Sequence, residues 1–247
     1  MLYLVGLGLG NERDITLNAL DAINKCDIVY LENYTSLIGF DIQALENLIG
    51  KKINLVDREF VENEDNVLND AKLKNVAFLV KGDVFSATTH SILFLKSKEK
   101  GIDIKFLHNT SILTAVGDTG LSLYKFGRVA SIPFDYENKN TIFDIYLMNQ
   151  AYQRMHTLFL LDLDPKNNRY MNFKDGLQAI SDNGDGSFNL GTKVVVCAGL
   201  GTDKQVIKYG NVEDLLKINI EVYPQCIIIP GELHFMEEEI LNLFKVQ

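Results

Sequence analysis

The chain has 247 residues, 47% of them hydrophobic and 23% charged, which is the composition of a globular protein with an extensive core. Its formal net charge of −9 disfavours a nucleic-acid partner, because affinity for phosphate backbones depends on cationic side chains. No stretch reaches the roughly 18 apolar residues of a membrane span, and the amino terminus lacks the basic lead of a secretory signal. We therefore expect a cytoplasmic protein with no membrane partner.

Strands and helices alternate regularly over the first 108 residues. Apolar, β-branched runs predict strands at 2–5, 28–32, 53–56, 76–80 and 102–107. Helical periodicity fills the gaps, with Asp14 or Thr16 capping the first helix, Asp41 capping the second, and Gly101 ending a helix over 89–100. Strands separated by helices imply parallel crossovers. We predict an amino-terminal α/β domain, residues 1–110, built on a parallel five-stranded sheet.

The second half mixes helices and strands less regularly. The predicted helices are 112–124, 142–153, 174–181, 212–217 and 235–244, and the predicted strands are 128–132, 157–162, 193–197, 205–208 and 226–230. This mixture predicts a carboxy-terminal α/β domain, residues 111–247, with some antiparallel pairing in its sheet. The stretches 134–141 and 182–191 are expected to be exposed loops.

Cysteines and histidines give no sign of a metal site. Cys26, Cys197 and Cys226 are far apart in apolar stretches, which indicates buried thiols rather than a disulfide framework or a zinc site. The four histidines lack the spacing of metal ligands, so no metal is expected. His90, His108 and His156 are each interpreted as capping or core residues.

Glycine-containing turns follow two of the predicted strands. Gly-Leu-Gly-Leu-Gly at 6–10 follows the first strand, Lys81-Gly82-Asp83 follows the fourth, and Ser111-Ile112 come after the fifth. The carboxyl ends of parallel strands meet at one edge of a sheet, and glycine there lets the backbone approach a ligand. The sequence therefore predicts a site for a small organic ligand at this edge.

Three classes of ligand differ in what they require of these turns. A dinucleotide fingerprint would need a glycine at position 11, where the chain has Asn11, although Glu32 stands where the ribose-binding acid would lie. No Gly-Lys-Ser/Thr follows either turn, which excludes a nucleoside-triphosphate loop. S-adenosylmethionine has no phosphate and needs no anion site, so it remains compatible. The turns alone do not name the ligand.

Motifs along nearly the whole chain match one family in order. The matching segments are 2–10, 13–16, 32–36, 57–59, 76–79, 82–83, 87–90, 108–112, 115–117, 119–121, 123–127, 156–158 and 230–234. With them the chain resembles the diphthine synthase family of tetrapyrrole-methylase-like (class III) methyltransferases. The resemblance implies two α/β domains with S-adenosylmethionine in the cleft between them, and a homodimer. It also implies methylation of the amino group of 3-amino-3-carboxypropyl-histidine in translation elongation factor 2, a stage of diphthamide synthesis.

The resemblance also implies a set of cofactor-binding residues. By motif position they are Leu9, Asp83, Ser86, Ser111, Ile112, Leu161, Leu200 and His234. The chain departs from the family pattern at Val84, where proline is usual, and at Gly199, where arginine is common. The catalytic residue is left unassigned; Asp83, Glu32, Tyr34 and His234 are candidates to accept the amine proton. Two alternatives stay open: a methyltransferase acting on a tetrapyrrole, and a non-catalytic module that binds the cofactor.

Overall fold

A computed structural model of the chain describes residues 1–34, 41–63, 65–86, 90–134, 140–152, 154–182 and 186–246. The chain forms two compact units, Met1–Leu113 and Thr114–Gln247. Within the described ranges, no helix is both long and apolar enough to cross a membrane.

The first unit contains five strands and five helices among its described residues. The strands are β1 (Leu2–Gly6), β2 (Ile28–Glu32), β3 (Asn54–Val56), β4 (Val76–Val80) and β5 (Ile104–Leu107). The helices are α1 (Leu17–Asn24), α2 (Ile42–Ile49), α3 (Arg58–Glu62), α4 (Asp65–Leu73) and α5 (Ser91–Glu99). The five predicted strands are confirmed. Thr16, rather than Asp14, caps α1 by accepting a hydrogen bond from the Ala19 amide, and Asp41 caps α2.

All strands of this unit are parallel, in the order β3-β2-β4-β1-β5. Residues of β1 alternate between two hydrophobic clusters: Tyr3 and Val5 pack with α1 and α2, whereas Leu2 and Leu4 pack with α4 and α5. The helices that follow β1 and β4 therefore lie on opposite faces of the sheet, although these two strands are neighbours. Such a switch point is where open α/β sheets bind ligands.

The second unit has a mixed sheet. Its strands are β6 (Ala130–Ile132), β7 (Thr157–Leu161), β8 (Leu163–Asp164), β9 (Arg169–Tyr170), β10 (Lys193–Ala198), β11 (Val206–Asn211) and β12 (Gln225–Ile229). Five of them form a sheet in the order β11-β10-β12-β7-β6, in which only β6 and β7 are parallel. The prediction of a parallel sheet followed by a mixed one is thus confirmed. The small hairpin of β8 and β9 was not predicted.

Helices cover this second sheet. They are α7 (Asn140–Leu147), which continues as a π-helical turn over Met148–Tyr152, α8 (Phe173–Asp182), α9 (Val212–Leu215) and α10 (Phe235–Asn242); α6 (Ile112–Ala115) spans the boundary between the units. The predicted loops 134–141 and 182–191 lie partly outside the described residues, as does the predicted start of α5 at residue 89.

The predicted helix over 112–124 is wrong. α6 ends at Ala115, and a 3-10 turn then runs over Val116–Thr119. Gly120 has φ +82°, and a Cβ at that position would lie 2.3 Å from Cγ2 of Ile240. A left-handed glycine packed against a side chain ends the helical path, because any other residue there would be strained and would clash.

The three cysteines are buried and free, as predicted. Cys197 and Cys226 face each other on β10 and β12 in the interior of the second sheet.

Candidate functional site

The two glycine turns of the first unit are hydrogen-bonded to each other. The amide of Gly8 donates to the carbonyl of Gly82 at 3.1 Å, and the Gly82 amide donates to the Gly8 carbonyl at 2.9 Å. Both glycines are left-handed, with φ +77° and +80°. A Cβ on Gly6 would lie 2.7 Å from the Gly82 carbonyl oxygen, so the turns meet backbone to backbone.

Lys81 and Asp14 hold the Leu9–Gly10 peptide from two sides. The Lys81 ammonium donates to the Leu9 carbonyl at 2.5 Å and reaches the Gly10 carbonyl at 3.4 Å. The Gly10 amide donates to Oδ2 of Asp14 at 2.7 Å. Burial lowers the pKa of Lys81 to about 8, and the Asp14 charge opposes this shift only in part.

The Asp83 carboxylate connects the turns after β4 and β5. Oδ2 lies 2.8 Å from Nδ1 of His108 and accepts the amide of Asn109 at 3.1 Å. Oδ1 accepts the amide of Phe85 at 3.1 Å. Burial alone would raise the pKa of Asp83, but the hydrogen bonds from Phe85, His108 and Asn109 outweigh it and lower the pKa. Asp83 is therefore ionised near neutral pH.

Five predicted site residues meet at this edge of the first sheet. Leu9 follows β1, Asp83 and Ser86 follow β4, and Ser111 and Ile112 follow β5; these three strands are neighbours. A Cβ added to Gly82 would lie 3.7 Å from Cδ2 of Leu9 and 3.9 Å from Cα of Ser111, so these residues surround the glycine. The structure thus brings the five together, while their role in binding stays a prediction. Ala87, Thr88 and Thr89 of the same motif lie outside the described residues.

The three predicted residues of the second unit do not share one end of its sheet. Leu161 ends β7, and Leu200 follows β10, which runs in the same direction as β7. β12 is antiparallel to both strands, so the segment that leads from it to His234 starts at the opposite end, where the Gly231 amide donates to His156. β7 and β12 are five residues long, so the two ends of these strands lie about 16 Å apart. Leu161 itself packs in the core against Gly176.

Glu237 anchors the 230–234 segment. Its carboxylate lies 2.5 Å from the Lys125 ammonium and 3.3 Å from Nε2 of His156, and it accepts the amides of Ser122 and His234 at 2.9 and 2.8 Å. Burial would raise the pKa of Glu237, but the bonds from Lys125 and the two amides hold it well below its usual range. This buried carboxylate fixes the start of α10, where His234 is the N-cap.

Besides Asp83 and His234, the candidates to accept the amine proton are Glu32 and Tyr34. Glu32 is buried at the end of β2, 3.1 Å from Nε2 of the equally buried His90. In the sheet, β4 lies between β1 and β2, so Glu32 at the end of β2 is separated from the glycine turn after β1. This strand order argues against a dinucleotide site, in which the two strands would be neighbours. Tyr34 lies under the guanidinium of Arg58 at 5.5 Å.

The interpretation of His108 as a capping or core residue is wrong. Its side chain is 63% exposed, whereas His90 and His156 are fully buried. Sequence reasoning also gave no role to Lys81 or Glu237. Two local signals were available: Lys81 directly precedes Gly82-Asp83, and His108 directly follows β5 at the same sheet edge. For Glu237 the local signal is its place three residues after the N-cap His234, whereas its contacts with Ser122, Lys125 and His156 are distant in sequence.

Comparisons with known proteins agree with this architecture. The family model described as Tetrapyrrole (Corrin/Porphyrin) Methylases matches residues 1–216. The site therefore occurs in a methyltransferase fold.

Relatives with similarity over their whole length narrow this class. The chain is 40% identical to a diphthine synthase of Methanococcus aeolicus, covering 98% of this chain and 97% of the relative. It is 40% identical to a human diphthine methyl ester synthase, covering 100% and 95%. A crystal structure of a diphthine synthase superposes with a TM-score of 0.90 at 33% identity, over 99% of this chain and 95% of the other. The chain belongs to the tetrapyrrole methylase family, in its diphthine synthase group.

Proposed function

We propose that the protein uses S-adenosylmethionine to methylate the amino group of 3-amino-3-carboxypropyl-histidine in translation elongation factor 2, giving diphthine. The observation that carries the proposal is the convergence of Leu9, Gly82, Asp83 and Ser111 at the switch point of the first sheet. Diphthine enzymes are also the named relatives at 40% identity over nearly the full chain. We prefer this substrate to a tetrapyrrole for that reason.

The first-unit residues fit this cofactor. Only a three-residue 3-10 turn, Glu12–Asp14, follows the glycine turn directly, and α1 begins at Leu17, so no α-helix N-terminus is placed there to receive a phosphate. Backbone groups of the glycine turns and the side chain of Leu9 instead offer amide, carbonyl and apolar contacts. The ionised Asp83 adds one negative charge for a cationic ligand group. When bound, S-adenosylmethionine supplies a methyl group already activated on a sulfonium.

Leu9, Asp83, Ser86, Ser111 and Ile112 would hold the cofactor in the first unit. For the second unit we propose contacts at Leu161, Leu200 and His234 by motif position alone, since its sheet places Leu161 and the start of the segment leading to His234 at opposite ends. Much of the rate enhancement in such a transfer comes from positioning the two reactants, which a rigid set of backbone groups provides. The buried network around Glu237 gives the 230–234 segment that rigidity.

The decisive experiment is incubation with methyl-labelled S-adenosylmethionine and elongation factor 2 that carries the 3-amino-3-carboxypropyl-histidine. We expect label on the factor, and intact-mass analysis counts the methyl groups added. Label on a uroporphyrinogen or precorrin instead would identify a tetrapyrrole enzyme. Cofactor bound in calorimetry without any turnover would identify a binding module, and the absence of binding heat would contradict the proposal altogether.

We also propose a cytoplasmic homodimer. Its substrate acts in cytoplasmic translation, and the second unit exposes apolar side chains that a partner copy could cover, among them Leu123, Tyr124, Phe235 and Met236. Sedimentation equilibrium tests the assembly: a mass of one chain, 27.8 kDa, at micromolar concentration would contradict it.

A further inference from the structure

His108 stands on the surface with one ring nitrogen fixed and the other open. Its Nδ1 lies 2.8 Å from Oδ2 of Asp83. In the part of the chain that the structure describes, Nε2 has no hydrogen-bond partner. Because Asp83 is ionised, a neutral His108 donates from Nδ1 and keeps the lone pair of Nε2 available.

Asp83 is itself held rigidly. The amides of Phe85 and Asn109 bind its two carboxylate oxygens, and the residue is 8% exposed. A base whose partner is fixed in this way keeps its orientation toward a substrate. This is the arrangement of an oriented general base.

An aromatic surface adjoins the imidazole. The Phe85 ring is centred 6.2 Å from that of His108 and 4.8 Å from that of Phe106, which in turn meets Phe94 at 5.0 Å. Phe85 and Phe94 are each more than one-third exposed. This patch, defined by Phe85, Phe94 and Phe106, offers apolar contact for a protein substrate beside the open nitrogen.

We propose that His108 accepts the proton that the substrate amine must lose, with Asp83 as its positioning residue; this rests on the proposed methyl transfer to an amine. An aliphatic amine is mostly protonated at neutral pH and has no lone pair for attack. In the proposed step an N–H bond of the substrate ammonium breaks, its electron pair stays on the substrate nitrogen, and the proton bonds to Nε2. Because the ring is exposed, the proton then passes to water and the base is ready for another methylation.

The test uses His108→Asn, whose side-chain amide replaces Nδ1 as a donor to Asp83 but has no basic nitrogen in place of Nε2. We expect kcat on modified elongation factor 2 to fall about 10²- to 10³-fold at pH 7. KM for the factor and calorimetric affinity for S-adenosylhomocysteine should stay within about threefold. The variant's rate should then rise about tenfold per pH unit, because free amine must form in solution instead. Lys105→Gln, an exposed change on β5, is the matched control and should leave kcat unchanged.

Two further measurements separate a proton acceptor from a structural residue. Free imidazole should restore turnover to His108→Ala in proportion to its unprotonated form. In nitrogen-15 spectra of the unliganded wild-type protein, neutral His108 should carry its proton on Nδ1. The proposal would be overturned if the wild-type protein methylated the factor and His108→Asn did so with an unchanged kcat. It would also be overturned if the neutral His108 ring carried its proton on Nε2. A wild-type protein that does not methylate the factor would instead contradict the proposed function.

Discussion

Replacing Lys81 by methionine should change how the stability of the first unit depends on pH. The Lys81 ammonium is buried against the carbonyls of Leu9 and Gly10, and this burial lowers its pKa to about 8 from the ordinary value of 10.5. Between these two values the unfolded chain binds more protons at this position than the folded one. The wild-type protein therefore gains stability as pH rises through this window, and Lys81→Met does not.

The size of the effect follows from the shift. A difference of about 2.5 pKa units corresponds to about 3 kcal/mol, of which about 2.5 kcal/mol should develop between pH 7 and pH 10. The quantity to compare is the unfolding free energy of wild type minus that of Lys81→Met, since every other titrating group cancels in this difference. Urea unfolding followed by far-ultraviolet circular dichroism measures it.

Lys81→Arg is the control, because a guanidinium stays charged over the whole range. Its stability relative to Lys81→Met should be constant with pH. Parallel curves for wild type and Lys81→Met from pH 7 to pH 10 would refute the reasoning and show that the Lys81 ammonium is not desolvated in solution.

Three other predictions concern the glycine turn, the buried carboxylate and the thiols. Gly82→Ala and Gly50→Ala each place a methyl group at a left-handed φ without a clash, so each should lower the unfolding free energy in urea by about 1–2 kcal/mol. Only Gly82→Ala should weaken the binding of S-adenosylhomocysteine measured by calorimetry. Equal affinities of the two variants would contradict the assigned site. Glu237→Gln should destabilise the second unit by about 1–3 kcal/mol because it removes the charge that binds the partly exposed Lys125 ammonium, which keeps only the Glu232 carbonyl. Since hydrogen bonds hold the pKa of Glu237 below its ordinary value of 4.5, wild type should lose this advantage as pH falls below about 4.5. A stability difference that stays constant down to pH 3 would count against this prediction. Cys26, whose pKa burial raises to about 11, should not react with a thiol reagent until the protein unfolds; rapid labelling of the native protein would disprove its burial.

Much of the fold could be predicted because the local signals were strong. The runs Val76–Val80 and 194–198 are apolar and rich in valine, and both are buried in strands. Thr16 and Asp41 cap the helices they precede. The first half of the site followed from one rule, that parallel strands place their following turns at the same edge.

What escaped prediction depends on contacts between distant residues. Nothing local to Gly120 shows that Ile240 packs on it and breaks the predicted helix. Glu237 accepts the amide of His234 three residues before it, but its other partners lie 81 to 115 residues away along the chain. The hydrogen bond between His108 and Asp83 joins residues 25 positions apart, and nothing local to His108 predicts that bond. Placing His234 and Leu161 at opposite ends of a sheet likewise needed the antiparallel register of β12.

The position of β1 has a consequence for biosynthesis. Leu2, on the strand that emerges from the ribosome before the other four of its sheet, pairs with Val76 on one side and Ile104 on the other. At synthesis rates of about 5–20 residues per second, its two neighbours become available several seconds later. Until then this apolar five-residue strand has unsatisfied edges on both sides, so we expect nascent-chain chaperones to bind it during synthesis.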